Sequence, residues 1–493
     1  MILAKTLINN KSYLPINLIF AFFPISFVLG SAILNLNFLI FCIFGIFYLR
    51  SKLFKSNYSF FFKIIFLFFL VVIISTSISF LRSSYSEDHN YVDMSLFIKS
   101  LIFFRFFLFL AIVFLLNKFN ILRFEYFFIF TSAIVMVVSL DVIFQSFFGF
   151  NTLGQTSFDH LRPDQAHMIN KALNSGFFGS EHIAGSYIQR FSFFCIFFII
   201  LNFKNEKFKQ FIFTILSVCI FGVAILFSGN RMPLILFVIG LFLFLLFNFK
   251  IRKQLIASLL SLIIILSLFI FFNKTHQGRY GVFQNHSKDI LRIITAPIVD
   301  KLKKNKYSKP KSERSKNTIS DLAIKILPEN AKWGRLDDII WESGHRRLFM
   351  TAIDTWKLNK VLGNGIKSFW NTCHMLVKQP DINIQEVLIP DKKNRLCSNH
   401  PHNYYLQVLS ATGIIGFLLL LIFFFSALLF SYKNFKKMRV INYKNFILLA
   451  SIISLILELL PIRSSGSIFT TNNISYLMLI ASITLCHKKI LQN

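Results

Sequence analysis

Acidic residues are scarce in this chain: 22 Asp and Glu stand against 53 Lys and Arg among 493 residues, a formal net charge of +31. Charged residues of all kinds make up only 15% of the sequence, whereas hydrophobic residues make up 55%. This composition excludes an ordinary soluble protein. Strong positive charge suggests nucleic-acid binding in a soluble chain, but many of the Lys and Arg here lie in short segments between apolar runs, where membrane topology explains them. We therefore expect no nucleic-acid partner.

Signals for bound metals and nucleotides are also lacking. The polar segment 273–402 contains no HExxH or DxD pattern, and His345, His374, His400 and His402 do not fall at a metal-ligand spacing. No P-loop is present, and no GxGxxG follows a strand. We expect no metal and no other cofactor. The first apolar run lacks a clear signal-peptide cleavage site and is predicted to remain as the first span.

Twelve apolar runs dominate the chain, and several reach the ~20 residues that cross the hydrocarbon core of a membrane. They lie near residues 13–32, 36–49, 60–80, 99–116, 124–148, 183–201, 208–228, 232–248, 253–272, 403–431, 445–460 and 468–486. The predicted fold is an all-α polytopic membrane protein of about 12 transmembrane helices, with one long periplasmic loop containing short amphipathic helices. We place helices 1–9 in residues 1–272, the loop in 273–402 and helices 10–12 in 403–493, with both helical parts forming one membrane domain.

Loops rich in Lys and Arg alternate with loops that hold acidic residues such as Glu87, Asp88 and Glu181. Because short basic loops stay in the cytoplasm, both termini are predicted to be cytoplasmic. The outward-facing segments are then 81–98, 149–182, 228–232, 273–402 and 461–467.

The long outer segment has two distinct parts. The run 301–316 is basic and of low complexity, which is typical of a solvated, flexible stretch. From Gly344 to Lys360 a helical pattern begins. Its apolar residues are Leu348, Phe349, Ala352, Ile353 and Trp356. We expect an amphipathic helix on the membrane surface there, ended by Gly363 and Gly365.

The stretch Cys397–Gly416 leads into the apolar run that follows this segment. Pro401 suits the first turn of a helix, so His402 is predicted to lie in that turn, where the helix N-terminus favours the neutral imidazole. Gly413 and Gly416 would share its helical face and let a neighbouring helix approach closely. A neutral histidine at a membrane surface is a candidate reactive centre.

The six cysteines divide into two groups. Four fall in or beside apolar runs, where a buried thiol is a small apolar group. Only Cys373 and Cys397 lie in the outer segment, which in a bacterium faces the oxidising periplasm. We predict a disulfide between them that helps to fix the entry to the helix after His402.

Several motifs of this chain resemble those of one known family. His402-Asn403, nine residues and then Gly413-Ile414-Ile415-Gly416 resembles the H-N-x9-G-x-x-G signature of the O-antigen ligase/polymerase superfamily of bacterial envelope enzymes. Three earlier segments resemble other family motifs in the expected order: 176–190 (GFFGSEHIAGSYIQR), 228–231 (SGNR) and 344–365, which holds a Gly-x-Arg, Trp356 and Leu-Gly-Asn-Gly. The resemblance covers about residues 170–480.

This resemblance implies glycan transfer at the periplasmic face of the bacterial inner (cytoplasmic) membrane, among membrane lipids. The donor would be a glycan on undecaprenyl diphosphate, and the acceptor would be lipid A–core or another lipid-linked glycan. His402 would be the general base, and in-line attack would invert the anomeric centre. Arginines would bind the donor diphosphate, namely Arg231, Arg346 and Arg190, with Arg347 in reserve. His400, Asn403, Gly413 and Gly416 would support the site.

The histidines and one of the arginines also have structural interpretations. His402 and His400 could be capping or interfacial residues, and Arg231 could extend to the lipid headgroups. The tryptophans could anchor the chain at the membrane interface rather than stack on sugars; these are Trp333, Trp341 and Trp356.

Arg190 lies inside an apolar run, where an unpaired charge is expensive. Glu181 and Glu458 are its candidate structural partners. Arg463 could likewise pair with Glu458.

Three functions remain open from the sequence. The first is an O-antigen ligase, and the second is a polymerase of the same superfamily. The R-x10-G pattern of some polymerases is not found at Arg162, Arg346 or Arg347, which favours the ligase. The third is a secondary transporter or lipid flippase, although no internal repeat and no pair of broken helices in corresponding halves is visible.

Overall fold

A computed structural model describes residues 13–55, 60–85, 92–156, 173–247, 251–272, 277, 344–378, 396–435, 443–461, 463 and 466–486. The chain forms two compact units, one of Met1–Leu268 with Leu348–Asn493 and one of Phe269–Arg347. Residues 348–402, which we placed in the periplasmic loop, thus belong to the unit that holds most of the apolar helices. The basic run 301–316, Arg162, Trp333 and Trp341 lie outside the described residues.

The described residues form helices and contain no β-strand. In chain order the helices are α1 Leu14–Ala21, α2 Phe23–Val28, α3 Ser31–Leu49, α4 Lys52–Lys55, α5 Phe60–Tyr85, α6 Met94–Phe103, α7 Arg105–Lys118, α8 Phe124–Phe148, α9 Ala184–Asn202, α10 Lys207–Phe227, α11 Arg231–Phe247, α12 Arg252–Phe272, α13 Gly344–Leu358, α14 Phe369–Lys378, α15 Tyr404–Phe435, α16 Tyr443–Glu458 and α17 Thr471–Leu485. A short 3-10 helix occupies Gly176–Phe178.

Each predicted apolar run coincides with one helix or with two consecutive helices. Within the described part of the chain, eight candidate spans are long and apolar enough to cross a membrane, and two shorter apolar helices accompany them. This confirms the prediction of an all-α polytopic membrane protein. The count of twelve spans stays a prediction.

Helix α9 is the most deeply buried of the candidate spans. It packs against α8, α10, α11 and α16, and its buried residues include Arg190. A cation at that position must be satisfied inside the protein, because the surrounding side chains are largely apolar. The fold therefore fixes a charged group near the beginning of its central helix.

A break divides α15 at Gly413, whose φ of 62° and ψ of −166° are not helical. The segment 360–365 enters this break and replaces the missing helical hydrogen bonds in both directions. The backbone N–H groups donate from Ile414 to Lys360 (3.0 Å), from Ile415 to Val361 (3.4 Å), from Asn364 to Ser410 (3.0 Å) and from Gly365 to Ala411 (2.9 Å). The polar groups freed by the break are thus satisfied within the chain, as a membrane interior requires.

Glycine is needed where this segment touches α15. A Cβ atom on Gly413 would lie 2.1 Å from the carbonyl oxygen of Val361, and one on Gly363 would lie 2.4 Å from the carbonyl carbon of Ala411. Gly416 instead lies next to the side chain of Thr412 in its own helix. A Cβ atom on Gly416 would lie 2.2 Å from Thr412 Oγ1. At Gly413 the close approach is therefore made by the loop backbone and not by the neighbouring helix that the sequence analysis expected.

The predicted helix after Gly344 is present as α13. Its buried residues are Leu348, Thr351, Ala352, Asp354 and Thr355, so its inner face is partly polar. The Asp354 carboxylate accepts from Lys357 Nζ at 3.1 Å. Ala352 packs with Phe369 and Cys373 of α14, and Leu406 of α15 packs against this cluster. Leu348 and Ala352 of the predicted apolar stripe are thus buried against protein, and the position of this helix on the membrane surface stays a prediction.

Candidate active site

Helix α15 begins one residue after Asn403, whose side chain caps it. Asn403 Oδ1 accepts from the backbone N–H groups of Tyr405 (3.0 Å) and Leu406 (3.1 Å), and its Nδ2 donates to the Pro461 carbonyl at 3.0 Å. Asparagine is among the best N-cap residues because its oxygen satisfies N–H groups that have no helical partner. Asn403 therefore sets both the beginning of α15 and its contact with the chain after α16.

The signal at Pro401 predicted that His402 lies in the first turn of the helix. The structure instead places His402 before the helix, which begins at Tyr404. The φ of His402, 55°, is in the left-handed region, which costs energy for a residue other than glycine and is often found at functional sites. The cap at Asn403 excludes His402 from the helical hydrogen-bond pattern. The side chain remains next to the helix N-terminus, but on the loop that approaches it.

The two candidate general bases lie side by side. The rings of His400 and His402 have centroids 4.3 Å apart and are inclined by 50°. Both residues are half-buried. The structure therefore brings the two candidates for the general base to one place.

A buried ionic network lies at the beginning of α15. The Glu458 carboxylate accepts from Arg190 Nε (3.1 Å) and Nη2 (2.6 Å), from the Tyr404 hydroxyl (2.9 Å) and from Arg463 Nη1. Glu458 is 2% exposed, and Arg190 and Arg463 are each 8% exposed. One carboxylate thus compensates two guanidinium groups, so the network carries an excess of positive charge. Its member Tyr404 lies two residues after His402.

Arg190 also contacts α17. Its Nη2 donates to Asn473 Oδ1 at 2.8 Å, and its Cζ lies 4.6 Å from the ring centroid of Tyr476. The side chain therefore has the structural pairing with Glu458 that the sequence analysis gave as an alternative. Binding of a diphosphate by Arg190 stays a proposal, and the structure gives this guanidinium a set of protein partners.

The motif segments 176–190 and 228–231, and the residues just before them, contact each other. Asn174 Nδ2 donates to the Phe227 carbonyl at 2.8 Å, and Asn230 Nδ2 donates to the His182 carbonyl at 3.1 Å. A Cβ atom on Gly185 would lie 2.2 Å from Ser228 Oγ. These contacts hold the turn before α11, and with it Arg231, against the beginning of α9.

The chain before His402 is tied to α13 and α14. Cys373 and Cys397 form a disulfide with Cα atoms 5.7 Å apart, which is the pairing expected from the sequence. The N–H of Leu396 donates to Thr351 Oγ1 at 3.2 Å. Trp356 donates from Nε1 to the Lys360 carbonyl at 2.9 Å, so its indole N–H helps to connect α13 to the segment that enters α15.

Arg346 and Arg347 lie in the first turn of α13, and the side chain of Arg346 is outside the described residues. The convergence of Arg231 and Arg346 on His402 therefore stays a prediction. Among the described residues, no three His, Cys, Asp or Glu side chains form a cluster that could hold a metal ion.

Some members of the site were not singled out from the sequence. Tyr404 and Asn473 belong to the ionic network. Gln407 joins α15 to the loop before α17. Its Nε2 donates to Ser467 Oγ at 2.6 Å, and its Oε1 accepts from the Ile468 N–H at 2.9 Å. The sequence signal for these residues was indirect: Arg190 and Glu458 lie in apolar runs, where charges must find polar partners.

The chain was also compared with known proteins. Residues 215–421 match the family model described as O-Antigen ligase. No curated protein matches the chain. The matched region contains the turn at Arg231, the helices α13 and α14, the disulfide, His402 and the break at Gly413. This match supports a relation of the chain to the O-antigen ligase-like superfamily and an O-antigen ligase/polymerase-type membrane enzyme.

Proposed function

We propose that this enzyme moves a glycan from undecaprenyl diphosphate to a hydroxyl of lipid A–core, as an O-antigen ligase, at the periplasmic face of the bacterial inner membrane. The observation that carries this proposal is the position of His402. It lies in the matched region, in a left-handed conformation directly before the capped end of α15. A strained, half-buried histidine at the end of a candidate span is a suitable general base.

The charge around α15 supports an anionic donor. Arg190 and Arg463 share a single carboxylate, Glu458, so a diphosphate near the beginning of the helix would meet a net positive field. Direct contacts to the diphosphate are assigned to Arg231 and Arg346, with Arg347 in reserve, because a guanidinium presents two N–H groups to phosphate oxygens. In this scheme Arg190 acts mainly through its charge.

The reaction then needs one proton acceptor and one stabilised leaving group. His402 takes the proton of the acceptor hydroxyl while its oxygen bonds to the anomeric carbon. The bond from that carbon to the phosphate oxygen breaks on the opposite face, and undecaprenyl diphosphate leaves with the electron pair. A single in-line displacement of this kind inverts the anomeric centre. The arginines stabilise the charge that develops on the leaving diphosphate.

Two matched alanine variants test the base. His402→Ala should lower the rate of glycan transfer by about 10²–10⁴-fold, whereas His400→Ala should keep most of the rate. Transfer is measured with purified, membrane-inserted enzyme and lipid-linked glycan, and equal expression is the control. A wild-type rate for His402→Ala would show that this residue is not the base, and a large loss of rate in His400→Ala alone would assign the role to His400.

The second candidate is a polymerase, since the matched family model does not separate the two reactions. Deletion of the gene distinguishes them. Loss of capped lipid A–core with intact polymer on the carrier identifies a ligase, whereas single repeat units on lipid A–core identify a polymerase.

The break in α15 is a feature that transporters also use to bind substrates. Here the groups freed by the break accept from or donate to the segment 360–365. Ser75 Oγ adds a further bond to the Ala411 carbonyl at 2.7 Å. Because these groups are occupied by the chain itself, the break favours a fixed scaffold over a transport site.

A further inference from the structure

Residues 360–362 form the tip of the segment that enters the break of α15, and the structure joins this tip to a candidate membrane span. The Ile414 N–H donates to the Lys360 carbonyl at 3.0 Å, and the Ile415 N–H donates to the Val361 carbonyl at 3.4 Å. Both donors lie in α15, inside its candidate span. Because a backbone hydrogen bond holds two residues close together, the depth of the tip in the membrane follows from the depth of these two isoleucines.

The part of α15 after the break is long enough to cross the membrane alone. The candidate span covers Tyr404–Lys433, 30 residues, whereas ~20 residues cross the hydrocarbon core. Residues 414–433 contain no charged residue before Lys433. One boundary of the hydrocarbon core therefore lies near the break, and in the predicted orientation it is the outer boundary. The tip lies at the same height.

The side chains around the tip are apolar and exposed. Val361 is 58% exposed, and Ile414, Ile415 and Leu418 of α15 are exposed as well. Ile414 and Leu418 are one helical turn apart and share a face of α15. Val361 thus extends an apolar surface of a candidate span. Contact of this surface with water is unfavourable, whereas contact with hydrocarbon is favourable.

The residues that flank Val361 are typical of a membrane interface. Lys360 is exposed and Trp356 is half-buried. Tryptophan is enriched at the height of the lipid headgroups, and the stem of a lysine lies along apolar surface while its ammonium group reaches water. The indole N–H of Trp356 donates to the Lys360 carbonyl at 2.9 Å. This carbonyl and that of Val361 are therefore satisfied by the protein, as irregular backbone at membrane depth requires.

We propose that the tip inserts into the outer leaflet and that Val361 contacts the acyl chains of the bilayer lipids. The sequence analysis placed all of 273–402 in a periplasmic loop, whereas this proposal puts three of its residues at the edge of the hydrocarbon core. The tip would then fix the height of the break, and with it the beginning of α15, relative to the lipids. The proposal does not depend on glycan transfer, because it uses none of the residues assigned to the reaction.

The test uses nitroxide spin labels on the full chain in phosphatidylcholine vesicles. Val361→Cys is compared with two matched variants, Leu418→Cys within the span and Leu153→Cys after α8, because both leucines are also exposed. The four free cysteines are buried and the other two form the disulfide, so the reagent reacts at the introduced thiol. The label then collides with oxygen, which concentrates in hydrocarbon, or with a neutral nickel chelate, which stays in water.

Oxygen should collide with the label at Val361→Cys more often than the nickel chelate does, as at Leu418→Cys. The opposite order is expected at Leu153→Cys. The opposite order at Val361→Cys would place the tip in water, and few collisions with either reagent would mean that protein covers it. Each of these two results would overturn the proposal.

Fluorescence quenching measures the depth independently. A bimane fluorophore on Val361→Cys should be quenched more strongly by phosphatidylcholine that carries a nitroxide on its acyl chain than by phosphatidylcholine that carries it on the headgroup. Equal quenching by the two lipids, or stronger quenching from the headgroup, would show that the tip does not reach the acyl chains and would contradict the insertion.

Discussion

At the scale of single residues, Glu458 determines the charge balance of the candidate site. Its carboxylate is the shared acceptor of Arg190 and Arg463, and its replacement by neutral glutamine leaves two buried guanidinium groups without a counter-charge. We expect Glu458→Gln to cost about 3–5 kcal/mol of stability, measured by thermal or denaturant unfolding in detergent. Glycan transfer should fall as well, because the Tyr404 hydroxyl loses a charged acceptor two residues from His402.

A surface ion pair provides the control for this substitution. Glu206 pairs with Lys209, and their side chains are 52% and 59% exposed. Glu206→Gln removes the same charge but should cost no more than about 1 kcal/mol, because water screens an exposed pair. A similar cost for Glu206→Gln and Glu458→Gln would mean that burial of the network does not contribute as described.

Only part of this network could be predicted from the sequence. The pair Arg190 and Glu458 was a stated alternative, since a charge inside an apolar run must find a partner. The contribution of Tyr404 could not be predicted, because hydrophobic periodicity describes one helix at a time and does not say which faces of distant helices meet. The position of His402 was missed for a local reason: Pro401 and Asn403 give competing helix-start signals, and the asparagine cap prevails.

At the scale of elements, the break in α15 predicts an unusual sensitivity at Gly413. Its φ of 62° favours glycine, and a Cβ atom would also collide with the Val361 carbonyl. Gly149 ends α8 with a φ of 82° but has no atom within 4 Å of a hypothetical Cβ. Gly149→Ala should therefore cost only the backbone strain of about 1–2 kcal/mol, whereas Gly413→Ala adds the collision, about 1–3 kcal/mol more.

Unfolding midpoints and limited proteolysis of the two variants measure this difference. Loosening of the contact in Gly413→Ala should also expose the segment 360–365 to protease. If both alanine variants lost the same stability, the close approach of this segment to α15 would be contradicted.

Helices were the most predictable elements and the break was the least. Apolar runs locate spans because hydropathy is a local property. The break is hidden within the continuous run 403–431, where Gly413 and Gly416 are typical of helix–helix packing. Its cause is the Leu-Gly-Asn-Gly segment about fifty residues earlier, and backbone pairing over that distance leaves no periodic signal.

At the scale of the whole molecule, the distribution of charge predicts the orientation in the membrane. Short loops rich in Lys and Arg alternate along the chain with loops that hold acidic residues, and short basic loops stay in the cytoplasm. Helix α8 should then end outside, and α10 should begin inside. Two exposed residues mark these positions: Leu153 after α8 is 67% exposed, and Phe208 at the beginning of α10 is 75% exposed.

Cysteine labelling checks this orientation with little background, because the four free cysteines of the chain are all buried. In intact cells whose outer membrane is permeable to the reagent, a membrane-impermeant maleimide should label Leu153→Cys directly. Phe208→Cys should react only after the inner membrane is opened. The reverse pattern would place the Lys- and Arg-rich loops outside, and it would also move His402 to the cytoplasmic face, where a donor that has crossed to the outer leaflet could not be reached.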